Sequence, residues 1–327
     1  MIQTAAKAAV YRGIPSTRAN LYEEITAKIV AAIEAGAGEW RMPWHHDGTS
    51  TARPINVGSR KPYRGVNVVA LWVAAQAAGY PTGLWGTYRH WQAVGAQVRR
   101  GERATTVVFW KSSRIEPAED TNSADAEREQ PRFFARGYRV FNQAQVESYV
   151  APEVPVLSES ERVAHAEVFY ANLRISTVYG GSEACYMPSK DTVFMPPFAA
   201  FHDAAAHYST LYHEGIHATA AKHRCDRQLS ARFGSETYAM EEIIADLGSC
   251  AILADLGIAV HPRPDHAAYI SSWLKVLKND TSAIFTAASK AQQAADWMHA
   301  QQPKTPVADP KSAAWLLARV RGGMEIS

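Results

Sequence analysis

The chain has 327 residues, 47% hydrophobic and 20% charged, with a formal net charge of +2. It can therefore bury a sizeable core and, at roughly 150 residues per domain, divides into about two domains. No stretch approaches the ~20 uninterrupted apolar residues of a membrane span, and the N-terminal MIQTAAKAAVYRGIP lacks the apolar core of a signal peptide, so a cytoplasmic location with no membrane partner is expected. Three cysteines, Cys185, Cys225 and Cys250, contain no C-x-x-C pair. They exclude a disulfide framework and a cysteine-based zinc ribbon, and read as reduced thiols.

Residues 1–17 read as a loose arm. From Asn20, a possible N-cap, Leu21, Ile25, Ile29, Val30 and Ile33 recur at helical spacing up to Gly36, which predicts a helix over 21–35. Further helices are expected at 66–78 and 88–94, and 104-ATTVVFWK-111 has the β-branched and aromatic content of a strand. The polar, acidic stretch 112–131 buries too little apolar surface to offset its ordering entropy, so a mobile loop is expected between that strand and its partner, 132-RFFARGYRVFN-142. A linker rich in Pro, Ser and Glu follows, at about 147–160. The second half begins with a helix at 160–173 and three short extended pieces around 174–179, 184–187 and 190–195. Helices then follow at 203–221, 236–256, 265–278 and 280–299, before a proline-bearing tail, 301–327.

The helix at 203–221 contains His213, Glu214 and His217 in the spacing H-E-x-x-H. Residues four apart share a helix face, so the two imidazoles can reach one ion. Glu214 falls beside that ion, where a carboxylate can take a proton from water. A catalytic zinc needs a third protein ligand, and 238-YAMEEIIADLG-248 on the next long helix offers Glu242 and Asp246, four apart among apolar residues. Glu242 is favoured as ligand over Glu241 because it shares a face with Asp246, which would accept a hydrogen bond from the second ring nitrogen of a histidine. The bland alternative is a solvated acidic stripe. His202, His207 and His223 read as surface or capping residues.

The first half is strongly basic: between Arg53 and Arg114 ten Lys or Arg face a single acid, Glu102. Aromatic residues are interleaved with them, which is the composition of a single-strand binder, where cations hold phosphates and rings stack on bases. The candidates lie chiefly in loops: Arg60, Lys61, Tyr63 and Arg64 in the first, Trp85, Tyr88, Arg89 and Trp91 in the second, Arg99, Arg100 and Arg103 in the third, with Lys111 on the strand. Trp72 and Trp110 occupy positions where the helix and strand patterns call for core residues.

These segments together resemble the ArdC family of antirestriction proteins of conjugative plasmids and related mobile elements. The resemblance is carried by 40-WRMPW-44, 62-PYRGVNVVALW-72, 98-VRRGERATTVVFWK-111 and 137-GYRVFNQAQ-145, and then by 186-YMPSKDTVFMP-196, 208-YSTLYHEGIHATA-220 and 238-YAMEEIIADLG-248. It implies an α+β protein of two domains: a single-stranded-DNA-binding domain at 18–146 and a mainly helical, zincin-like (minimal gluzincin) metallopeptidase domain at 161–300. His213, His217 and Glu242 are carried over as metal ligands and Glu214 as catalytic base. Asp191 also matches a family position near the site. Two histidines and a carboxylate favour Zn2+ over the alternative, Mn2+. The expected partners are single-stranded DNA and a host restriction protein or other DNA-bound protein as substrate. A primase-accessory role with a structural metal site, and a metalloprotease delivered to DNA, are the alternatives. The family helix usually reads H-E-L-x-H-W-T-G; here Gly215 replaces the leucine, at a cost to an isolated helix of up to ~1 kcal/mol.

Overall fold

Asn67, in the helix Val66–Ala78, caps the edge of the strand Thr105–Ser113: its side-chain amide donates to the Val108 carbonyl and accepts from the Val108 N–H, both at 2.7 Å. An unpaired edge is a template for unwanted strand addition, and an amide side chain that mimics a backbone partner blocks it. The computed structural model describes residues 18–36, 53–113, 132–150, 157–227, 235–260 and 266–303. In chain order the elements of the first half are α1 (Arg18–Gly36), β1 (Ile55–Asn56), α2 (Val66–Ala78), β2 (Leu84–Gly86), α3 (Tyr88–Ala93), β3 (Gln97–Val98), β4 (Thr105–Ser113), β5 (Arg132–Asn142) and β6 (Val146–Glu147). Four of them form a sheet in the order β1-β2-β5-β4, in which β1 and β2 are parallel and the other pairs antiparallel. α1 packs its predicted stripe, Leu21, Ile25, Ile29 and Ile33, into the core. The helix starts before Asn20, which therefore lies in its first turn rather than capping it. α2 ends where Gly79 takes the left-handed conformation, φ 65°, and its N–H returns to the last turn.

The second half contains α4 (Glu159–Asn172), β7 (Ser176–Tyr179), β8 (Cys185–Met187), β9 (Thr192–Met195), α5 (Ala204–Ala218), α6 (Glu236–Leu256), α7 (His266–Asn279) and α8 (Ala283–Ala300). α4 opens with a capping box, in which Ser158 and Glu161 exchange side-chain and backbone hydrogen bonds. The three-stranded sheet has the order β7-β9-β8, leaving β8 at an edge beside α5. The expected arm 1–17, the loop core at 114–131, the middle of the linker and the tail from 304 lie outside the described residues, as do Trp40 and Trp44.

One apolar core passes through both halves, from Ile25 and Trp72 to Trp273 and Met298. The seam between the halves is also polar. Arg53, 8% exposed, donates to Asp255 on α6 at 2.9 Å and to Gln292 on α8 at 2.6 Å, while His299 lies 2.9 Å from the same Asp255 carboxylate. The Thr26 hydroxyl donates to the Thr281 carbonyl, and Lys278 pairs with Glu34. Trp72 is in the core as its helix position requires, but Trp110 is not. It is 43% exposed and meets Tyr22 of α1 at a ring separation of 6.1 Å. Among the described residues no helix is long and apolar enough to cross a membrane, and no disulfide joins the three cysteines.

His207 departs from the surface role its sequence position suggests. It is 4% exposed, stacked on Tyr179 and flanked by Phe198, Phe201 and Tyr208, with no hydrogen-bond partner on either ring nitrogen. Burial lowers its pKa below the ordinary 6.5. The neutral form is thus favoured by folding; its contribution is complete above the unfolded-state value and is lost as pH falls through that value and the lower folded one. His207→Phe, which suits the aromatic surroundings, should flatten that dependence. Between about pH 7 and about pH 5 the thermal midpoint of the wild type should fall further than that of the variant; equal slopes would refute the assignment.

Candidate metal centre

α5 begins at Asp203, whose carboxylate accepts from the Ala206 N–H at 2.7 Å, and runs without a break through His213, Glu214 and His217. Gly215 does not interrupt it. A methyl group at that position would stand 3.0 Å from the Tyr170 ring on α4 and 3.3 Å from the Met298 terminal methyl on α8, so the glycine admits two neighbours that a larger side chain would displace. A second close approach occurs at Gly248 on α6, where a methyl would lie 2.9–3.2 Å from three atoms of Ile216. Small residues at these crossings bring α4, α6 and α8 against the motif helix, and α6 brings its carboxylates with it.

His213, His217 and Glu242 offer ligand atoms that all lie within 4.8 Å of one another, and no other such cluster of metal-binding side chains occurs among the described residues. The two Nε2 atoms are 3.1 Å apart, and each is 3.5 Å from a Glu242 carboxylate oxygen. Tetrahedral metal bonds of ~2.0–2.1 Å imply ligand-to-ligand edges of about 3.3 Å, so the donor set has the size of a metal site. It also has the right chemistry, two imidazole nitrogens and one carboxylate oxygen. His213, Glu242 and Asp246 are 2%, 4% and 3% exposed, which rules out the solvated acidic stripe.

The carboxylate beside the second nitrogen of His217 is that of Glu241, 3.4 Å from Nδ1, and not Asp246. With Nδ1 turned to Glu241, Nε2 is the nitrogen that faces Glu242 and would give up its proton to a bound ion. Glu241 is itself held by Arg227, which donates to both its oxygens at 2.7 and 3.1 Å and also reaches the Ile216 carbonyl and the Thr219 hydroxyl at the end of α5. Arg227 is 7% exposed, a guanidinium buried among fixed acceptors. The helix period that singled out Glu242 and Asp246 also includes Glu241 as a rival, but it does not reveal Arg227, which arrives from a loop. Burial alone would disfavour charge on all these groups, yet the carboxylates of Glu241, Glu242 and Glu214 raise the His217 pKa to about 10. Glu242 is held far below the usual carboxylate range, because the two histidines outweigh its burial.

Glu214 is 7% exposed, and its carboxylate accepts from the Tyr186 N–H at 2.8 Å. The edge strand β8 thereby anchors the carboxylate of the residue beside His213 on the motif helix. Asp191 organises the same strand. It takes a left-handed backbone conformation, φ 47°, after β8 and accepts from the Tyr186 hydroxyl at 2.8 Å and from Arg224 at 2.6 and 3.0 Å. Arg224 also donates to the Ala218 carbonyl at the end of α5 and lies over the Trp297 ring of α8. Asp191 therefore ties β8 to the motif helix rather than entering the ligand set. Arg224 and Arg227 are the site residues that sequence reading missed.

The basic half is less uniform than its sequence suggests. Arg60, Lys61, Arg64, Arg89, Arg99, Arg100 and Arg103 are all exposed, as is Tyr88 at 43%. Tyr63, Trp85 and Trp91 are 4%, 0% and 0% exposed, so they cannot offer a face to a base. The Tyr63 hydroxyl accepts from Asn56, and the Trp91 indole donates to the Phe141 carbonyl. Trp85 lies on β2 and Trp91 on α3, and both turn inward: Tyr63 and Trp85 join the main core, and Trp91 joins the small cluster of Val57, Val98 and Val146. The Arg99 guanidinium turns back on Glu102 and on the Ala144 and Val146 carbonyls. Lys111 lies on β4, with its side chain outside the described set.

Comparison with known proteins follows the same division. Residues 19–141 match the family described as the N-terminal domain of anti-restriction factor ArdC, and residues 164–290 match the family of zincin-like metallopeptidases. The chain is 37% identical to the metal-free crystal structure of the antirestriction ArdC protein from R388 plasmid, with a TM-score of 0.69, covering 86% of this chain and 97% of that one. Against the Mn(II)-bound structure of that protein the identity is 34% and the TM-score 0.70, over 88% and 99% of the two chains. A protein of Sinorhizobium fredii (strain NBRC 101917 / NGR234), "Uncharacterized protein y4eC", is 57% identical over 302 residues, 92% of this chain and 98% of that protein. A "DNA primase TraC" of Escherichia coli is 33% identical over 302 residues, which are 86% of this chain but 27% of the primase.

Proposed function

The chain belongs to the ArdC family of antirestriction proteins, and from that premise we propose that it binds single-stranded DNA and carries a metallopeptidase-type centre held by His213, His217 and Glu242. The observation that carries the reading is the convergence of those three side chains, within 4.8 Å, beside a buried Glu214. Two imidazoles and a carboxylate suit Zn2+ on ligand preference, with Mn2+ as the alternative that the Mn(II)-bound relative supports. Bound there, a divalent ion supplies the Lewis acidity that peptide hydrolysis at neutral pH needs.

The remaining steps belong to the chain. Glu214, fixed by the Tyr186 N–H, accepts a proton from the attacking water and later returns it to the leaving amine. His217 is kept in one tautomer by Glu241 and Arg227, so its ligand nitrogen does not exchange roles during turnover. The substrate class is a protein bound to or acting on DNA, brought near the centre by the basic first half. Exposed cations from Arg60 to Arg103 would hold phosphate with steep salt dependence and little sequence preference. The likeness to a segment of DNA primases favours a second reading, a DNA-handling accessory in which the metal only braces α5 against α6.

Metal analysis joined to DNA binding tests the proposal. The purified protein should hold one divalent ion per chain, lost in His213→Ala, and should bind a single-stranded oligonucleotide in preference to duplex with an affinity that falls as salt rises. Metal content indifferent to His213→Ala refutes the centre, and equal affinity for both DNA forms refutes the single-strand reading.

A further inference from the structure

The cleft of about 1330 Å3 between the two halves is lined by Lys61 and Arg64 from the first half and by Phe285 and Lys290 from the second, with Trp110 on its wall. It exceeds the ~300–1,000 Å3 of ordinary small-molecule pockets, so a segment of polymer suits it better than a metabolite. From this juxtaposition we infer that the single strand lies in the interdomain cleft and that helix α8 of the zincin-like half forms one side of the DNA site. The inference rests on the single-strand reading above and goes beyond an N-terminal DNA domain acting alone.

Charge and ring placement carry it. The cleft is lined by three cations and one acid, Asp296, which is already engaged by Arg64 and by Gln292. The Arg64–Asp296 pair is half exposed on both sides, where ion pairs contribute little, so a phosphate can take Arg64 at small cost. Ser282, just before α8, and Thr286, Ser289, Lys290 and Gln293 on it line the cleft, neutral donors and a cation suited to a phosphodiester. Trp110, on the face of β4 that meets Tyr22, is 43% exposed and offers the aromatic face that Trp85 and Trp91 do not provide. Of the three basic loops, only the one with Lys61 and Arg64 adjoins it in this cleft. Stacking on such a ring tolerates any base sequence.

The test uses the full-length protein and a fluorescein-labelled oligothymidylate of ~20 nucleotides, long enough to span the cleft. Lys290→Glu, on an exposed position of the second half, should weaken binding by about tenfold and make the salt dependence shallower by about one phosphate contact. Trp110→Ala should weaken it by about fivefold or more. Lys290→Glu should keep the wild-type melting temperature, and Trp110→Ala should still unfold in one cooperative transition well above the assay temperature. Photocrosslinks from 5-iodouracil substituted into the strand should map to 105–113 and 282–296. If the wild type binds but both variants stay within about twofold of it, or the crosslinks fall only on 84–103, the cleft is not the site although the chain binds single strands. If the wild type does not bind at all, the single-strand reading itself fails, and this inference with it.

Discussion

Glu214→Gln is expected to lower metal-dependent peptide hydrolysis by roughly 10²–10⁴-fold, the contribution of a positioned general base, while leaving metal content and single-strand affinity as in the wild type. The substitution is nearly isosteric, and the Gln side-chain carbonyl can still accept from the Tyr186 N–H that now holds the carboxylate at 2.8 Å. Glu214 is outside the group of three converging ligand atoms, so the ligand set survives. What disappears is the capacity to take up a proton. The measurement is single-turnover cleavage of a DNA-bound protein with and without added Zn2+ or Mn2+, beside an antirestriction assay of the same variant in cells. Loss of cleavage with loss of antirestriction joins the chemistry to the function; loss of cleavage alone separates them. Undiminished cleavage by the variant refutes the role of Glu214.

The second large effect concerns stability. Arg53→Ala is expected to destabilise the protein by about 1.5–3 kcal/mol, because it removes a charge-assisted hydrogen bond and leaves the largely buried Asp255 carboxylate with His299 as its remaining partner. Burial opposes ionisation of Asp255, but Arg53 and His299 outweigh it and hold its pKa below the ordinary value. Arg53→Lys should recover only part of the loss, since an ammonium cannot serve Asp255 and Gln292 with two arms of one planar fork. Denaturant unfolding measures both variants. A change below about 0.5 kcal/mol for Arg53→Ala would mean that the pair is solvent-screened and dispensable.

Helical period was the most informative part of the sequence. It predicted helices at 66–78 and 236–256 with the bounds observed, and it placed His213, His217 and Glu242 on faces that do converge. Strand composition located β4 and β5 and all three short strands before α5. Periodicity failed where a residue's environment is set by segments distant in the chain. Arg227 and Arg224 look like ordinary loop cations until the ends of α5 and α6 surround them. Trp85 and Trp91 look like stacking platforms until strand β2 and helix α3 turn them into the two apolar clusters, and Trp110 looks like core although it stays 43% exposed beside Tyr22. Gly215 looks like a weak point in a helix. Its reason for being there is the Tyr170 ring, forty-five positions earlier in the chain and invisible to any local pattern.

The continuous apolar core bears on how the protein comes apart. Ile25, Trp72, Ile243 and Met298 belong to one packed cluster, with Arg53 buried at its polar seam. Neither half can lose its packing without uncovering apolar surface on the other, so calorimetry should record one transition for the whole chain, with van't Hoff and calorimetric enthalpies in agreement.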